Sequence, residues 1–349
     1  MEHQKIKISI GVFAHNEEAN ILATLISLAT QDIFTSLLCQ KYITTISVLA
    51  NGCTDKTATL ARGYLNLGNG ISGQVLEIVK SGKSNAWNEF IHAEYNAETH
   101  YYVCMDSDIA FGSKNVISSL LQALVDSDDA FLSLDIARKD TMLKPRKSFF
   151  EHMSLFLSGL MRQGSTALAG SLYCARGEKL REITMPEGLP VEDGFLRAML
   201  VTELFTKKDN DRRILVVDDV CHYFTPESSI RSLFRHEERL LIGTFINSVI
   251  YGYLWSQVAI SQQDAGILVR ENNSQDPQWV STLIENYRES HDPLIPRHFY
   301  FKYFNRLNSY RPLRRILLFP LACIASLVRY FLLKKVEKKL LVESGLGYW

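Results

Sequence analysis

Four short apolar runs, separated by three segments with helical spacing, fill the first third of the chain, and this alternation constrains the fold more than any other feature. The runs are Lys7–Ala14, Ile46–Ala50, Val75–Val79 and Tyr101–Asp106, rich in Val, Ile and aromatic residues. Such runs read as buried strands. Between them, Ile21, Leu22, Leu25 and Leu28, then Leu60, Ala61, Tyr64 and Leu65, then Trp87, Phe90 and Ile91 recur on single helical faces. Thr54 stands where it would cap the second helix. The alternation predicts an α/β fold with a mostly parallel sheet, right-handed crossovers and flanking helices. In such sheets ligands bind beyond the carboxyl ends of the strands.

Each run releases polar residues at that end: Asn16 and Glu17, Asn51 and Asp55, Lys83 and Asn88, Asp106 and Asp108. The spacing predicts that they converge on one crevice, although loops are polar for many reasons. Asp106-Ser107-Asp108 ends the fourth run with two carboxylates one residue apart. Two such anions repel each other unless a cation sits between them, and hard carboxylate oxygens suit Mg²⁺ or Mn²⁺. The same residues also suit a solvated turn. Gly82-Lys83-Ser84 resembles the end of a phosphate-binding loop, but the upstream glycine is missing, which argues against a Walker-type triphosphatase.

With 349 residues and 46% apolar content the chain can bury a large core. Lys plus Arg and Asp plus Glu are equal at 38 each, so no overall field favours nucleic acid. The six cysteines are scattered with no Cys-x-x-Cys pair, which argues against a structural zinc site or a disulfide scaffold. With no apolar leader before the first strand, the expected location is the cytoplasm, on the cytoplasmic face of the inner membrane if a membrane is involved.

Further along, Ala130–Arg138, Ala169–Arg176 and Ile214–Phe224 read as strands, the last carrying Asp218, Asp219 and His222. The stretch 139–166 is basic at first (Lys139, Lys144, Arg146, Lys147), then apolar. Glu192-Asp193 falls where a helix should begin, a favourable place for carboxylates whatever their role. The expected division is 1–110 for the first half of the sheet, 111–228 for the second half, and 229–349 for a helical extension. That extension holds two long apolar stretches, Leu240–Ile260 and Ile316–Leu333. The second is flanked by Arg314, Arg315, Lys334 and Lys335 and interrupted by Pro320 and Arg329. It is borderline for a membrane span, and an interfacial helix with basic flanks or a helix packed on the protein fits as well.

Taken in order, these segments resemble a family 2 glycosyltransferase of the GT-A fold over roughly residues 5 to 240. The matching segments are Ala14-His15-Asn16-Glu17-Glu18, Asn51 to Thr57, Gly82-Lys83-Ser84-Asn85-Ala86-Trp87-Asn88, Asp106-Ser107-Asp108, Gly170 to Arg176 and Val191-Glu192-Asp193. The resemblance implies a nucleotide-diphosphate sugar donor contacted by Ala14, Asn16, Glu17, Asn51, Asp55, Lys83, Asn88, Asp106 and Arg239. It implies Mg²⁺ or Mn²⁺ on Asp106 and Asp108, with His222 either a further ligand or a satisfied core histidine. It implies Asp193, beside Glu192, as catalytic base in an inverting transfer of a hexosyl or N-acetylhexosaminyl group to a glycan or lipid-linked hydroxyl.

Two positions depart from the family pattern. Ala50 stands where an aspartate commonly reads uracil, so a GDP-sugar stays open beside a UDP-sugar. His236-Glu237-Glu238-Arg239-Leu240 keeps the arginine but not the glutamine and tryptophan of processive synthases, which favours a single addition. The rival readings are a sugar-phosphate nucleotidyltransferase, which normally carries a glycine-rich basic loop after its first strand, and a non-catalytic scaffold built on a degenerate transferase.

Overall fold

The computed structural model describes residues 5–68, 70–142, 168, 170–226, 229–308, 310–343 and 346. Eight strands form one sheet: β1 Ile6–Ala14, β2 Tyr42–Asn51, β3 Gln74–Ile78, β4 Tyr101–Asp106, β5 Ile109–Phe111, β6 Leu132–Lys139, β7 Leu172–Arg176 and β8 Ile214–Phe224. Their order is β3-β2-β1-β4-β7-β6-β8-β5. The first four strands are parallel, as their spacing with helices requires. Beyond β4 the sheet is mixed: β7 runs antiparallel to β4 and β6, and β6 runs parallel to β8.

The helices that matter for the site are α1 Ile21–Ala29, α2 Thr57–Asn66, α3 Lys83–Ile91, α4 Val116–Val125, α5 Glu192–Val201, α6 Ile230–Ser261 and α7 Pro312–Leu340. Alternation along the strands sends successive residues to opposite layers. Val103 and Met105 of β4 pack in the layer with Leu25, Ala61 and Leu120 of α1, α2 and α4. Tyr102 and Cys104 face the layer with Phe90 of α3, Phe195 of α5 and Phe245 of α6. Both faces are covered along most of β1 and β4, which is why these strands read as apolar runs.

Several boundaries differ from the sequence expectation. β2 begins at Tyr42, four residues early, because Tyr42–Thr45 pair with Ile6–Ser9 although none of the four is fully buried. Thr54 does not cap α2; Asp55 Oδ1 accepts the Thr57 N–H at 3.0 Å instead. Ala169 and most of the stretch 139–166, with Lys144, Arg146 and Lys147, fall outside the described residues. The apolar stretch Leu240–Ile260 is a core helix, with Leu241, Ile242, Phe245, Ile246 and Ile250 buried. Pro320 does not break α7, which continues to Leu340.

Candidate active site

The carboxyl ends of β1, β2 and β4 open into a cavity of about 520 Å³. Its lining includes Ala14, Glu17, Asn51, Lys83, Asp106, Asp108, Glu192, Asp193 and Arg239, contributed by segments far apart in sequence. Lys83, the first residue of α3, follows Gly82, whose φ of +130° suits glycine and turns the chain into the helix. The Lys83 ammonium lies 2.6 Å from Asp106 Oδ1, 3.1 Å from Glu192 Oε1 and 3.2 Å from the Gly170 carbonyl. Burial alone would lower its pKa, but Asp106 and Glu192 outweigh that and hold it well above the usual lysine range.

Asp108 is more perturbed. Burial pushes its pKa up to about 6, and the charges of Asp106 and Glu17 add to the effect. A carboxylate destabilised by burial and by two neighbouring anions is one that a cation would relieve. Two carboxylates one residue apart, both on the cavity wall, fit a hard divalent ion whose remaining positions are filled from a substrate. Among the described residues no group of three or more His, Cys, Asp or Glu side chains forms a closed metal cage.

Asp193 stands in the first turn of α5. Burial and then Glu192 push its pKa up to about 6, opposed by Lys83 and by the backbone N–H groups of Gly194 and Gly170. The Gly194 N–H donates to Asp193 Oδ1 at 2.7 Å. The turn is held from two sides. Asn247 Nδ2 of α6 donates to the Val191 carbonyl at 2.8 Å and the Tyr251 hydroxyl to the Gly194 carbonyl at 2.7 Å. From α3, Asn88 exchanges two 2.9 Å hydrogen bonds with the Met185 backbone.

Four residues expected at the ligand are not in the cavity lining. Asn16, at a φ of 55°, accepts the Thr54 N–H through Oδ1 at 2.8 Å, tying the first loop to the second. Asp55 accepts from Thr57 and from the Glu18 N–H, closing the same junction. Asn88 braces the Met185 loop. His222 is buried, its Nδ1 against Asp135 at 2.7 Å and its Nε2 against Ser171 Oγ at 2.9 Å. Asn51 lines the cavity, but its amide donates to the Lys80 carbonyl and accepts from the Gly82 N–H, each at 2.7 Å. It therefore shapes the Lys83 turn.

Residues that sequence reasoning did not assign also line the cavity, notably Ser171 and His236. His236 had a usable signal: it precedes Arg239 by three residues on α6, a spacing that shares one helical face. Ser171 and Asp135 carried none, because only tertiary structure brings them to His222.

A parallel four-strand half that ends in carboxylates, joined to a mixed half that carries a helix-borne Glu-Asp pair over the same crevice, is the GT-A glycosyltransferase arrangement. The family model described as Glycosyl transferase family 2 matches residues 9–188, just over half of the chain, and the chain belongs to that family. Among solved structures it is similar to the mannosyltransferase PcManGT from Pyrobaculum calidifontis in complex with GDP-Man and Mn²⁺, at 15% identity and a TM-score of 0.54, covering 93% of this chain and 87% of that one. A second similar structure is glucosyl-3-phosphoglycerate synthase from Mycobacterium tuberculosis in complex with Mg²⁺ and UDP, at 19% identity and a TM-score of 0.47, covering 69% and 79%. At 15% identity the likeness to the first speaks to the fold alone. No curated protein sequence matches the chain.

Proposed function

We propose that the protein transfers one sugar from a nucleoside diphosphate sugar to an acceptor hydroxyl, with inversion at the anomeric carbon and dependence on a divalent cation. The observation that carries this reading is the shared cavity of Asp108 and Asp193, linked through the Lys83 bridge from Asp106 to Glu192. Family membership supplies the reaction class and disfavours the nucleotidyltransferase alternative.

Asp106 and Asp108 would hold Mg²⁺ or Mn²⁺, which neutralises the negative charge on a departing diphosphate. Arg239 on the cavity wall offers a planar fork to phosphate oxygens. Lys83 holds Asp106 and Glu192 in place. The acceptor hydroxyl attacks the anomeric carbon, the bond to the diphosphate oxygen breaks with its electron pair on that oxygen, and the hydroxyl proton passes to the Asp193 carboxylate. A single displacement inverts the centre. With its pKa raised to about 6, Asp193 is ionised at neutral pH yet a better base than an ordinary aspartate.

The decisive experiment pairs thermal shift against UDP- and GDP-sugars, with and without Mn²⁺, with transfer assays on Asp193→Asn. A metal-dependent rise with at least one donor is expected, because a ligand that binds the native state stabilises it. The variant should keep that rise and lose roughly 10²–10⁴-fold in transfer. A donor panel that produces no shift would favour the scaffold reading. Turnover by the variant at the wild-type rate would remove Asp193 as base, and activity unaffected by EDTA would remove the metal.

A further inference from the structure

The structure assigns a membrane-docking face to α7: the outward side of this helix lies in the surface of an anionic lipid bilayer, parallel to it, while the inward side stays packed on the enzyme. The helix is long and apolar enough to cross a membrane: its most apolar stretch has a mean hydropathy of 2.2, yet only 22% of that stretch is buried in the protein. Ile316, Leu317, Ile324, Leu327 and Phe331 are between 60% and 76% exposed. Their spacing of one, seven, three and four residues keeps them on one side of the helix over about 22 Å. A soluble core helix would not leave that stripe uncovered.

Charge placement points to lipid rather than to a second apolar protein surface. Between Arg315 and Lys334 the single charged residue is Arg329. It is turned inward and buried, its Nε donating to the Phe299 carbonyl at 2.6 Å. The outward stripe is therefore free of charge, and the two ends of the helix are basic. Residues 311–341 hold eight Lys and Arg against one acidic residue, Glu337, in a chain whose overall charge is zero. An apolar stripe between basic ends is the pattern of a helix seated at the boundary of acyl chains and anionic headgroups.

The inward side decides between lying and spanning. Leu318 and Ala322 pack with Leu307 and Tyr310, and Leu333, Val336 and Leu340 belong to the main core. Near the catalytic end of α6, the buried Glu238 takes Lys335 of α7 at 2.6 Å. Insertion across a bilayer would strip away all of these contacts, whereas docking in the membrane plane keeps them. Docking does not depend on the transfer reaction, so its failure would leave the catalytic reading standing.

The test is flotation of the full chain with vesicles of equimolar phosphatidylglycerol and phosphatidylcholine, and with phosphatidylcholine alone. Flotation with the anionic vesicles, weaker flotation with the neutral ones and release by alkaline wash are expected. Leu317→Glu, Ile324→Glu and Phe331→Glu together should weaken binding by roughly tenfold or more while donor-induced thermal shift is retained. Should that variant fail to fold, Arg311→Glu with Lys338→Glu alters only exposed charges and should reduce binding to the anionic vesicles alone. Absence of flotation, wild-type flotation by the variants, or resistance to alkaline wash would each overturn the assignment. So would a dimer that the triple variant dissolves in a protein that does not float, because the stripe would then be a contact between two copies.

Discussion

The Lys83 ammonium lies 2.6 Å from Asp106 Oδ1, and both side chains are less than one third exposed. Through its second bond, to Glu192, the same ammonium joins the end of β4 to the start of α5. The parallel and mixed halves of the sheet are thus tied at the crevice by one cation. Lys83→Met would leave both carboxylates without that partner. The expected result is a stability loss on the order of 1–2 kcal/mol, reduced from the fully buried case by partial solvent access. Donor affinity should fall by roughly tenfold or more, measured by titration calorimetry. Unchanged affinity would confine Lys83 to a structural role.

Asp193, the proposed base, should set the acid limb of the pH profile. Its pKa in the fold is raised to about 6, so the ionised, proton-accepting form predominates above that pH and is lost below it. Transfer should rise through about pH 6, flatten toward alkaline pH and fall about tenfold per unit on the acid side. The stability effect has the opposite sense. Because the folded pKa lies above the ordinary value of 3.8, protonation favours the native state, and ionised Asp193 costs stability above about pH 6. Asp193→Asn should therefore melt no lower than wild type at neutral pH. A transfer profile flat through pH 6 would remove Asp193 from the reaction.

His222 can be tested as a metal ligand by its metal titration. Both ring nitrogens are engaged, by Asp135 and by Ser171. His222→Phe should leave Asp135 without its buried partner, lowering stability by about 1–3 kcal/mol. The Mn²⁺ concentration for half-maximal donor binding should not change. A marked rise in that concentration would return His222 to the metal.

Gly170 leaves room for the Asp193 side chain. A Cβ built on Gly170 would lie 3.0 Å from the Asp193 Cβ, closer than nearly all real contacts of this kind. Gly170→Ala should displace the carboxylate by a few tenths of an ångström and lower kcat by about tenfold, with donor KM unchanged. Steady-state kinetics at saturating donor would detect it. Wild-type kcat would mean that the site relaxes around the methyl group.

The parallel half of the sheet was legible in the sequence because β1, β4 and the second half of β2 are buried on both faces and its helices keep an apolar side. Lys83, Asp106, Asp108, Glu192 and Asp193 stood out for a related reason: they are charged groups at a strand end or a helix start, and the fold brings all five to one cavity wall. Asn16, Asn51, Asp55 and Asn88 were singled out by the same logic, yet their side chains turn out to hold backbone in the loops around the cavity. An amide or short carboxylate bonds to backbone as readily as to a ligand, and the local pattern is the same in both cases.

From the order of its residues alone, the chain determined an α/β sheet with carboxylates at its mouth and an apolar helix near its end, because periodicity and charge placement are local properties. Tertiary structure decided that Lys83 spans two halves of a crevice, that His222 turns toward Asp135 and Ser171, and that Arg329 faces the protein and leaves a charge-free stripe outside. Each of those depends on which distant segment lies opposite, and burial strengthens or cancels a charge only once that neighbour is in place.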